Sequence, residues 1–231
     1  MKINRRQFVR NLGLGTASLS MGSLISTSSC APSGDSRDKR GKVSDDDQFL
    51  FIGDDIAIAQ TEYGKVQGYL LNHVYTFLGV PYGADTSGKN RFMPPQKPEP
   101  WTDVRPAVFY GNTAPQRMEN RWPNNYGTFA DHWNYWDVSE DCLYLNVWTP
   151  GIADGKKRPV LVWLHGGGFT NGSGIEQDGY HGENISREGD IVFCSINHRL
   201  GPIGFSDLSG VGGEAYKDSG NVGMLDIIPA L

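Results

Sequence analysis

The sequence predicts an α/β fold, and three stretches near its middle carry the prediction. The apolar run at residues 160–164 is followed closely by glycines, which is typical of a buried strand. Residues 183–188 predict a short helix that stops at Gly189, and a second apolar run follows at residues 191–196. A strand, a helix and a strand in this order indicate a parallel crossover within one sheet.

The elements upstream of this unit are predicted to be strands and extended chain. Residues 56–59 and 65–69 flank a glycine turn and predict an antiparallel hairpin, and residues 74–79 predict another short strand. Six prolines between residues 81 and 106 favour an irregular extended segment. Leucine and valine alternate with other residues over 143–148, which predicts a further strand.

The last residues predict the beginning of a helix. Asn221 can cap it, and Met224, Leu225 and Ile228 have helical spacing. Pro229 would fall in the early turns of this helix, where proline is tolerated only near the first position.

The candidate functional residues follow the strand at residues 160–164. His165 precedes Gly166, Gly167 and Gly168, and consecutive glycines leave backbone N–H groups with no Cβ to shield them. Such a loop at a strand end can direct several donors at one developing negative charge, which is what an oxyanion hole requires. Three glycines alone also fit an ordinary turn, but the strand and the histidine before them resemble the oxyanion motif of lipases and esterases.

Phosphate-binding loops are excluded by the residues that follow these glycines. No Gly-Lys-Ser/Thr sequence is present after them, and Asn171 stands where a dinucleotide-binding pattern requires glycine. No spacing of cysteine and histidine suggests a metal site, and no cofactor is predicted.

Length and charge limit the function further. A chain of 231 residues fits one domain or part of a larger one. The first 29 residues contain four basic residues and no acidic one, and the remainder holds 17 lysines and arginines against 26 aspartates and glutamates. This acidic balance argues against nucleic acid as a partner. After residue 30 no apolar run is long enough to span a membrane.

Residues 1–29 resemble a bacterial twin-arginine export signal, because Arg5 and Arg6 precede a weakly apolar stretch. A disordered basic tail is the alternative. Residues 30–50 are polar and are predicted to be a flexible tether. The protein is therefore expected to be exported and to be periplasmic, lipid-anchored or secreted.

Small residues before Cys30 resemble a lipoprotein processing site. Thr27 stands where an aliphatic residue is usual, so lipidation of Cys30 and simple cleavage near it both stay open. Membrane attachment is expected only through a lipid on this cysteine.

Five segments, in order along the chain, resemble the type-B carboxylesterase/cholinesterase family. They are residues 77–82 with Arg91, Phe92 and Trp101, residues 140–147, the glycine loop at 165–169, residues 197–205, and residues 220–226. The resemblance implies an α/β-hydrolase fold over a domain at residues 51–231. This domain would hold the N-terminal part of a mostly parallel sheet, with an N-terminal antiparallel hairpin, and would be incomplete.

The resemblance also implies an enzyme that hydrolyses carboxylic esters with a serine, a histidine and an acidic residue, through an acyl-enzyme. The backbone N–H groups of Gly167 and Gly168 would supply two oxyanion donors, and His165 would shape the loop. The serine of such enzymes lies in a Gly-x-Ser-x-Gly turn, which residues 1–231 do not contain. We therefore expect nucleophile, acid and base to lie beyond the end of this chain, which by itself would not hydrolyse esters.

The same resemblance implies a structural, non-catalytic role for four charged residues. Arg91 would pair with Glu140, and Arg199 would pair with Asp226. Both pairs are expected to be buried, where an arginine and a carboxylate hold loops in register.

Two aromatic residues, Trp133 and Phe169, are the candidates for lining a substrate cleft. Trp133 lies in an aromatic-rich stretch at residues 122–136, which equally fits a loop held in place by its own aromatic side chains. Trp133 lies one position away from the place of a cation-binding tryptophan in cholinesterases, so no choline specificity is predicted. The family's usual tyrosine is replaced by His198, and a common glutamine by Ile227. We expect neither replacement to touch the oxyanion chemistry.

Cys142 lacks its usual partner in this family. No cysteine lies between Cys30 and Cys142, so the expected bridge is absent.

Two functions from different classes fit the sequence. The first is a serine-type hydrolase acting on a small-molecule ester, and the intact glycine loop favours it. The second is a non-catalytic binding or adhesion protein on the same fold. Hydrolysis of amides or lactones by the same machinery stays open as well.

Overall fold

The computed structural model describes residues 49–117 and 137–231. Their strands are β1 (Leu50–Phe51), β2 (Ile58–Gln60), β3 (Lys65–Gln67), β4 (Tyr69–Leu71), β5 (Val74–Pro81), β6 (Arg105–Pro106), β7 (Tyr144–Thr149), β8 (Val160–Leu164) and β9 (Val192–Ile196). Their α-helices are α1 (Glu183–Gly189), α2 (Gly201–Phe205), α3 (Ser209–Gly212) and α4 (Val222–Leu225). Short 3₁₀ turns lie at Gly88–Asn90, Asp178–Tyr180, Glu214–Tyr216, Ser219–Asn221 and Ile228–Ala230.

Six strands form one mixed sheet in the order β1-β4-β5-β7-β9-β8. β8 and β9 are parallel and are joined through α1, so the predicted crossover is confirmed. The other pairs that the structure describes in this sheet are antiparallel. The α/β class therefore agrees with the prediction, while parallel pairing within the described sheet is confined to β8 and β9.

A second, smaller sheet contains β2, β3 and β6. β2 and β3 pair in antiparallel fashion, with Gln60 opposite Lys65. The predicted N-terminal hairpin is therefore confirmed. The predicted irregular segment at residues 81–106 consists mostly of extended chain and bends, with one 3₁₀ turn.

The core lies on both faces of β7. Leu145 and Val147 pack against one cluster that contains the fully buried Leu143, whereas Trp148 lies in another cluster with Phe193. The alternation along the strand explains this division, because successive side chains point to opposite faces.

A β-bulge interrupts the pairing of β5 with β7. The buried Asn146 bridges it, because its Oδ1 accepts a hydrogen bond of 3.0 Å from the N–H of Gly79. Its Nδ2 donates to Ser195 Oγ in β9 at 3.1 Å. A polar side chain in the middle of a buried strand is thus satisfied by hydrogen bonds on both sides.

The predicted strand at residues 160–164 is present as β8, but the described residues leave it partly exposed. Among the described strands, β8 is the last in the order of the sheet and pairs with β9 alone. Val160 is 63% exposed and Leu164 is 47% exposed. The sequence pattern fits a parallel strand covered on both faces, but burial depends on neighbours, which the pattern does not specify.

The predicted helix at the end of the chain is shorter than expected. α4 ends at Leu225, and Pro229 lies in the following 3₁₀ turn. Asn221 occupies the N-cap position, but its side chain makes no capping hydrogen bond. The chain enters α4 from a 3₁₀ turn, whereas a capping side chain usually extends from β-region backbone.

No helix within the described residues has the length and apolar character needed to cross a membrane.

Candidate functional site

The glycine loop begins one residue after β8 ends at Leu164. Gly167 has a φ of 120° and Gly168 a φ of 61°, which are conformations that glycine adopts without a steric penalty. The carbonyl oxygen of Gly167 accepts hydrogen bonds from the N–H of Thr170 at 3.1 Å and the N–H of Asn171 at 3.3 Å. Residues 167–171 therefore form a closed turn.

Two N–H groups in this turn are available to a ligand. Within the described residues, the N–H groups of Gly167 and Gly168 donate to no protein acceptor, and both glycines are exposed. Adjacent unpaired donors on a fixed backbone are the physical requirement for binding an oxyanion.

The two glycines differ in the space around them. A Cβ on Gly167 would overlap the carbonyl oxygen of Asn171 and lie 2.6 Å from its Oδ1. A Cβ on Gly168 would have no heavy atom within 4 Å. The sequence alone treats the two positions alike, whereas the structure requires glycine more strictly at position 167.

His165 is part of the support for this loop. Its Nδ1 lies 2.8 Å from the carbonyl oxygen of Gly166, and its ring stacks on His198 with centroids 4.9 Å apart. His198 therefore packs against the loop through His165, while the prediction that its replacement of tyrosine leaves the oxyanion chemistry unaffected stays a prediction. His198 is buried, its Nδ1 donates to the Arg199 carbonyl at 2.9 Å, and burial lowers its pKa.

Phe169 ties the loop to α2. Its carbonyl oxygen accepts a hydrogen bond of 2.7 Å from the N–H of Gly201, and its ring lies 5.2 Å from that of Phe205. Phe169 is nevertheless 53% exposed, so its side chain can contact a ligand beside the loop.

Two amide side chains hold the loop at its far end, and sequence reasoning missed both. Asn197 Oδ1 accepts from the N–H of Gly174 at 2.8 Å, and its Nδ2 donates to the Asn112 carbonyl at 3.0 Å. Gln116 binds the backbone of Gly172. Their partners lie 23 to 85 residues away in sequence, so no local pattern identifies these contacts.

Arg199 and Asp226 form a buried ion pair behind the loop, with side chains 1% and 0% exposed. The guanidinium donates through Nη2 to Oδ1 at 2.6 Å and through Nε to Oδ2 at 2.9 Å. Its Nη1 also donates to the Met93 carbonyl at 2.8 Å. The pair therefore links the end of β9, α4 and the proline-rich segment.

Arg91 and Glu140 also lie together, with Nε 2.7 Å from Oε2. The Arg91 side chain is 47% exposed, so the expectation that this pair is buried is wrong. An exposed pair is solvated and screened by salt, so it contributes less than a buried one.

Cys142 and Cys194 are free and buried. Burial raises the pKa of the Cys194 thiol to about 12, and that of Cys142 is raised as well. Such thiols are inert packing groups. Across the described ranges no group of three His, Cys, Asp or Glu residues could hold a metal ion. The predicted lipidation site Cys30 and cleft residue Trp133 lie outside the described residues.

Comparisons with known proteins agree on one family. Residues 55–231 match the sequence profile of the carboxylesterase family. The chain is 40% identical over 177 residues to a para-nitrobenzyl esterase of Bacillus subtilis, covering 75% of this chain and 33% of that protein. It is 43% identical over 174 residues to a phenmedipham hydrolase of Pseudarthrobacter oxydans, covering 75% and 32%.

A solved structure supports the same assignment. An esterase from Clostridium hathewayi, described as able to hydrolyse aliphatic aromatic polyesters, superposes with a TM-score of 0.71 at 38% identity. The match covers 80% of this chain and 35% of that protein. The chain thus spans about a third of the length of the relatives that it matches.

Proposed function

Since the chain belongs to the carboxylesterase family, we propose that residues 55–231 form the oxyanion-binding part of a serine-type carboxylic ester hydrolase. The observation that carries the proposal is the pair of N–H groups on Gly167 and Gly168, which are exposed and bonded to no described acceptor.

The loop would act on the charge that forms during acyl transfer. When a nucleophile attacks an ester carbonyl, its oxygen becomes negative, and fixed N–H donors stabilise that charge more than they stabilise the neutral ester. The hydrogen bonds from Thr170 and Asn171 to the Gly167 carbonyl fix the turn before substrate arrives. Little reorganisation is then needed in the transition state.

The nucleophile, its base and the acid are not assigned to any residue of this sequence. The 231 residues contain no Gly-x-Ser-x-Gly turn. His165 and His198 each direct Nδ1 at a neighbouring carbonyl and support the loop, and the base is assigned to neither. The 231-residue chain should therefore give no burst of p-nitrophenol from p-nitrophenyl acetate, and a burst blocked by a serine-directed phosphonate would contradict this assignment.

The proposed activity is tested by transplanting the loop with its supports. In a hybrid protein, residues 55–231 replace the matching third of the para-nitrobenzyl esterase, and the rest of that esterase is unchanged. We expect the hybrid to hydrolyse p-nitrophenyl acetate with a kcat within about tenfold of the parent, a barrier difference of about 1.4 kcal/mol.

A folded hybrid with no turnover would contradict the proposal and favour the non-catalytic binding role. If the hybrid hydrolyses an anilide or a lactone but not the ester, the substrate class is an amide or a lactone and not an ester. The measured melting curve of the hybrid serves as the control for folding.

Export is part of the proposed function. The paired Arg5 and Arg6 and the mild apolar stretch within residues 1–29 support a twin-arginine signal, with residues 30–50 as a tether to a periplasmic, lipid-anchored or secreted domain. Replacing both arginines with lysine should retain the protein in the cytoplasm. A globomycin-sensitive change in mobility would identify a lipid on Cys30, and its absence would favour simple cleavage.

A further inference from the structure

The side chain of Gln116 contacts the far end of the glycine loop through both atoms of its amide. Its Oε1 accepts a hydrogen bond of 2.8 Å from the N–H of Gly172. Its Nε2 donates to the Gly172 carbonyl at 2.9 Å and to the Ala114 carbonyl at 3.1 Å. One carboxamide therefore binds both polar groups of the Gly172 backbone.

Gly172 in turn packs against the first residues of the loop. It has a φ of 110°, and a Cβ at this position would overlap the Gly166 carbonyl oxygen and the imidazole of His165. Backbone contact this close requires glycine, and it means that a shift of Gly172 is transmitted directly to Gly166.

The loop is consequently fixed at two ends. On one side it continues from β8, which pairs with β9 up to Leu164. On the other side it reaches Gly172, whose backbone is held by Gln116. The N–H groups of Gly167 and Gly168 lie between these two anchors.

The second anchor is held by these hydrogen bonds as well as by packing, because Gly172 is buried and lies close to Gly166 and His165. A cavity of about 440 Å³ lies beside it and is lined by Gln116, Thr170 and Asn171 among others. A side chain without the amide would remove both hydrogen bonds that Gln116 makes to the Gly172 backbone.

The segment that carries Gln116 is itself tied down. The N–H of Thr113 donates to the Asp137 carbonyl at 2.8 Å, and the N–H of Ser139 donates to the Thr113 carbonyl at 3.0 Å. Ala114 is buried in the same cluster as Cys142. Gln116 therefore projects from a fixed support, although no disulfide joins that support to β7.

We propose that Gln116 is a positioning residue for the oxyanion loop: its amide holds the Gly172 backbone and thereby sets the direction of the Gly167 and Gly168 N–H groups. The inference rests on the proposed function, because the directions of the Gly167 and Gly168 N–H groups affect catalysis only if these groups bind an oxyanion. Catalytic donors displaced by about 1 Å lose on the order of a hundredfold in rate.

The first test uses the full 231-residue chain and Gln116→Met, which keeps the size of the side chain and removes its hydrogen bonds. Gln96→Met is the matched control, because the Gln96 amide is exposed and, within residues 49–117 and 137–231, donates only to the nearby Pro94 carbonyl. Hydrogen exchange followed by mass spectrometry should show peptides of residues 165–174 exchanging about tenfold faster in Gln116→Met, with β9 unchanged.

The second test measures kcat and KM of the same two substitutions in the hybrid. We expect Gln116→Met to lower kcat by about tenfold to a hundredfold with KM within about threefold, and Gln96→Met to change neither. A purely structural role would instead lower the fraction of folded enzyme, which the melting curve and titration of active sites report.

Three results would overturn the inference: unchanged exchange in residues 165–174, faster exchange throughout the chain, or equal kcat for the two variants. A wild-type hybrid without turnover would refute the proposed function instead. The exchange experiment would then still decide whether Gln116 fixes the loop.

Discussion

Alanine at Gly167 and alanine at Gly168 should have very different effects, although the sequence presents the two glycines as equivalent. At position 167 the new Cβ would overlap the Asn171 carbonyl oxygen, so the turn must open. The φ of 120° adds backbone strain of about 1–3 kcal/mol for any residue with a side chain. The Gly167 N–H would then no longer point where the oxyanion forms.

At position 168 the new Cβ meets no atom within 4 Å. The φ of 61° lies in the left-handed region, which costs an alanine about 1–2 kcal/mol of stability. The backbone can keep its path, so the donor is retained. A β-branched residue is far less tolerant of this region, and Gly168→Val should be as harmful as Gly167→Ala.

The assay is hydrolysis of p-nitrophenyl acetate by the hybrid. Loss of one oxyanion donor costs about 2.7–4 kcal/mol, so Gly167→Ala should lower kcat by about 10²–10³. Gly168→Ala should keep kcat within about tenfold while lowering the melting temperature. Equal losses at the two positions, or a greater loss in Gly168→Ala, would refute the assignment of the turn geometry.

Three further predictions concern stability of the 231-residue chain. Asp226→Asn leaves the buried guanidinium of Arg199 without its carboxylate, and urea unfolding should show a loss of about 3–5 kcal/mol; a loss under about 1 kcal/mol would mean that the pair is solvated. Arg91→Ala should shift the urea midpoint far less, because Arg91 is half exposed, and an equal shift would contradict that. Burial lowers the pKa of His198 in the folded chain below the usual histidine value of about 6.5. Below about pH 6.5 the unfolded chain therefore binds more protons than the folded chain, and the free energy of unfolding should fall as the pH drops. His198→Tyr should reduce this slope, and an unchanged slope would exclude His198 as its source.

Local patterns predicted the elements whose determinants are close together in sequence. The alternation over residues 143–148 corresponds to β7, and the glycine turn near Tyr63 corresponds to the hairpin of β2 and β3. The position of the glycine loop after a strand was predictable for the same reason, because the apolar run and the glycines are adjacent.

Features that depend on distant partners could not be predicted. The exposure of β8 is decided by which strands lie beside it, and its apolar residues carry no information on that point. Gln116 and Gly172 are 56 residues apart, and a glutamine after a proline has no local signature for such a contact. The stacking of His198 on His165 likewise appears only when β8 and β9 lie side by side.

The most direct test of the oxyanion assignment is a crystal structure of the hybrid inhibited by a serine-directed phosphonate. The phosphonyl oxygen stands in for the oxyanion of the transition state. We predict that it lies about 2.7–3.1 Å from the backbone nitrogens of both Gly167 and Gly168. A phosphonyl oxygen more than about 3.5 Å from both nitrogens, or bound by other donors, would contradict the account.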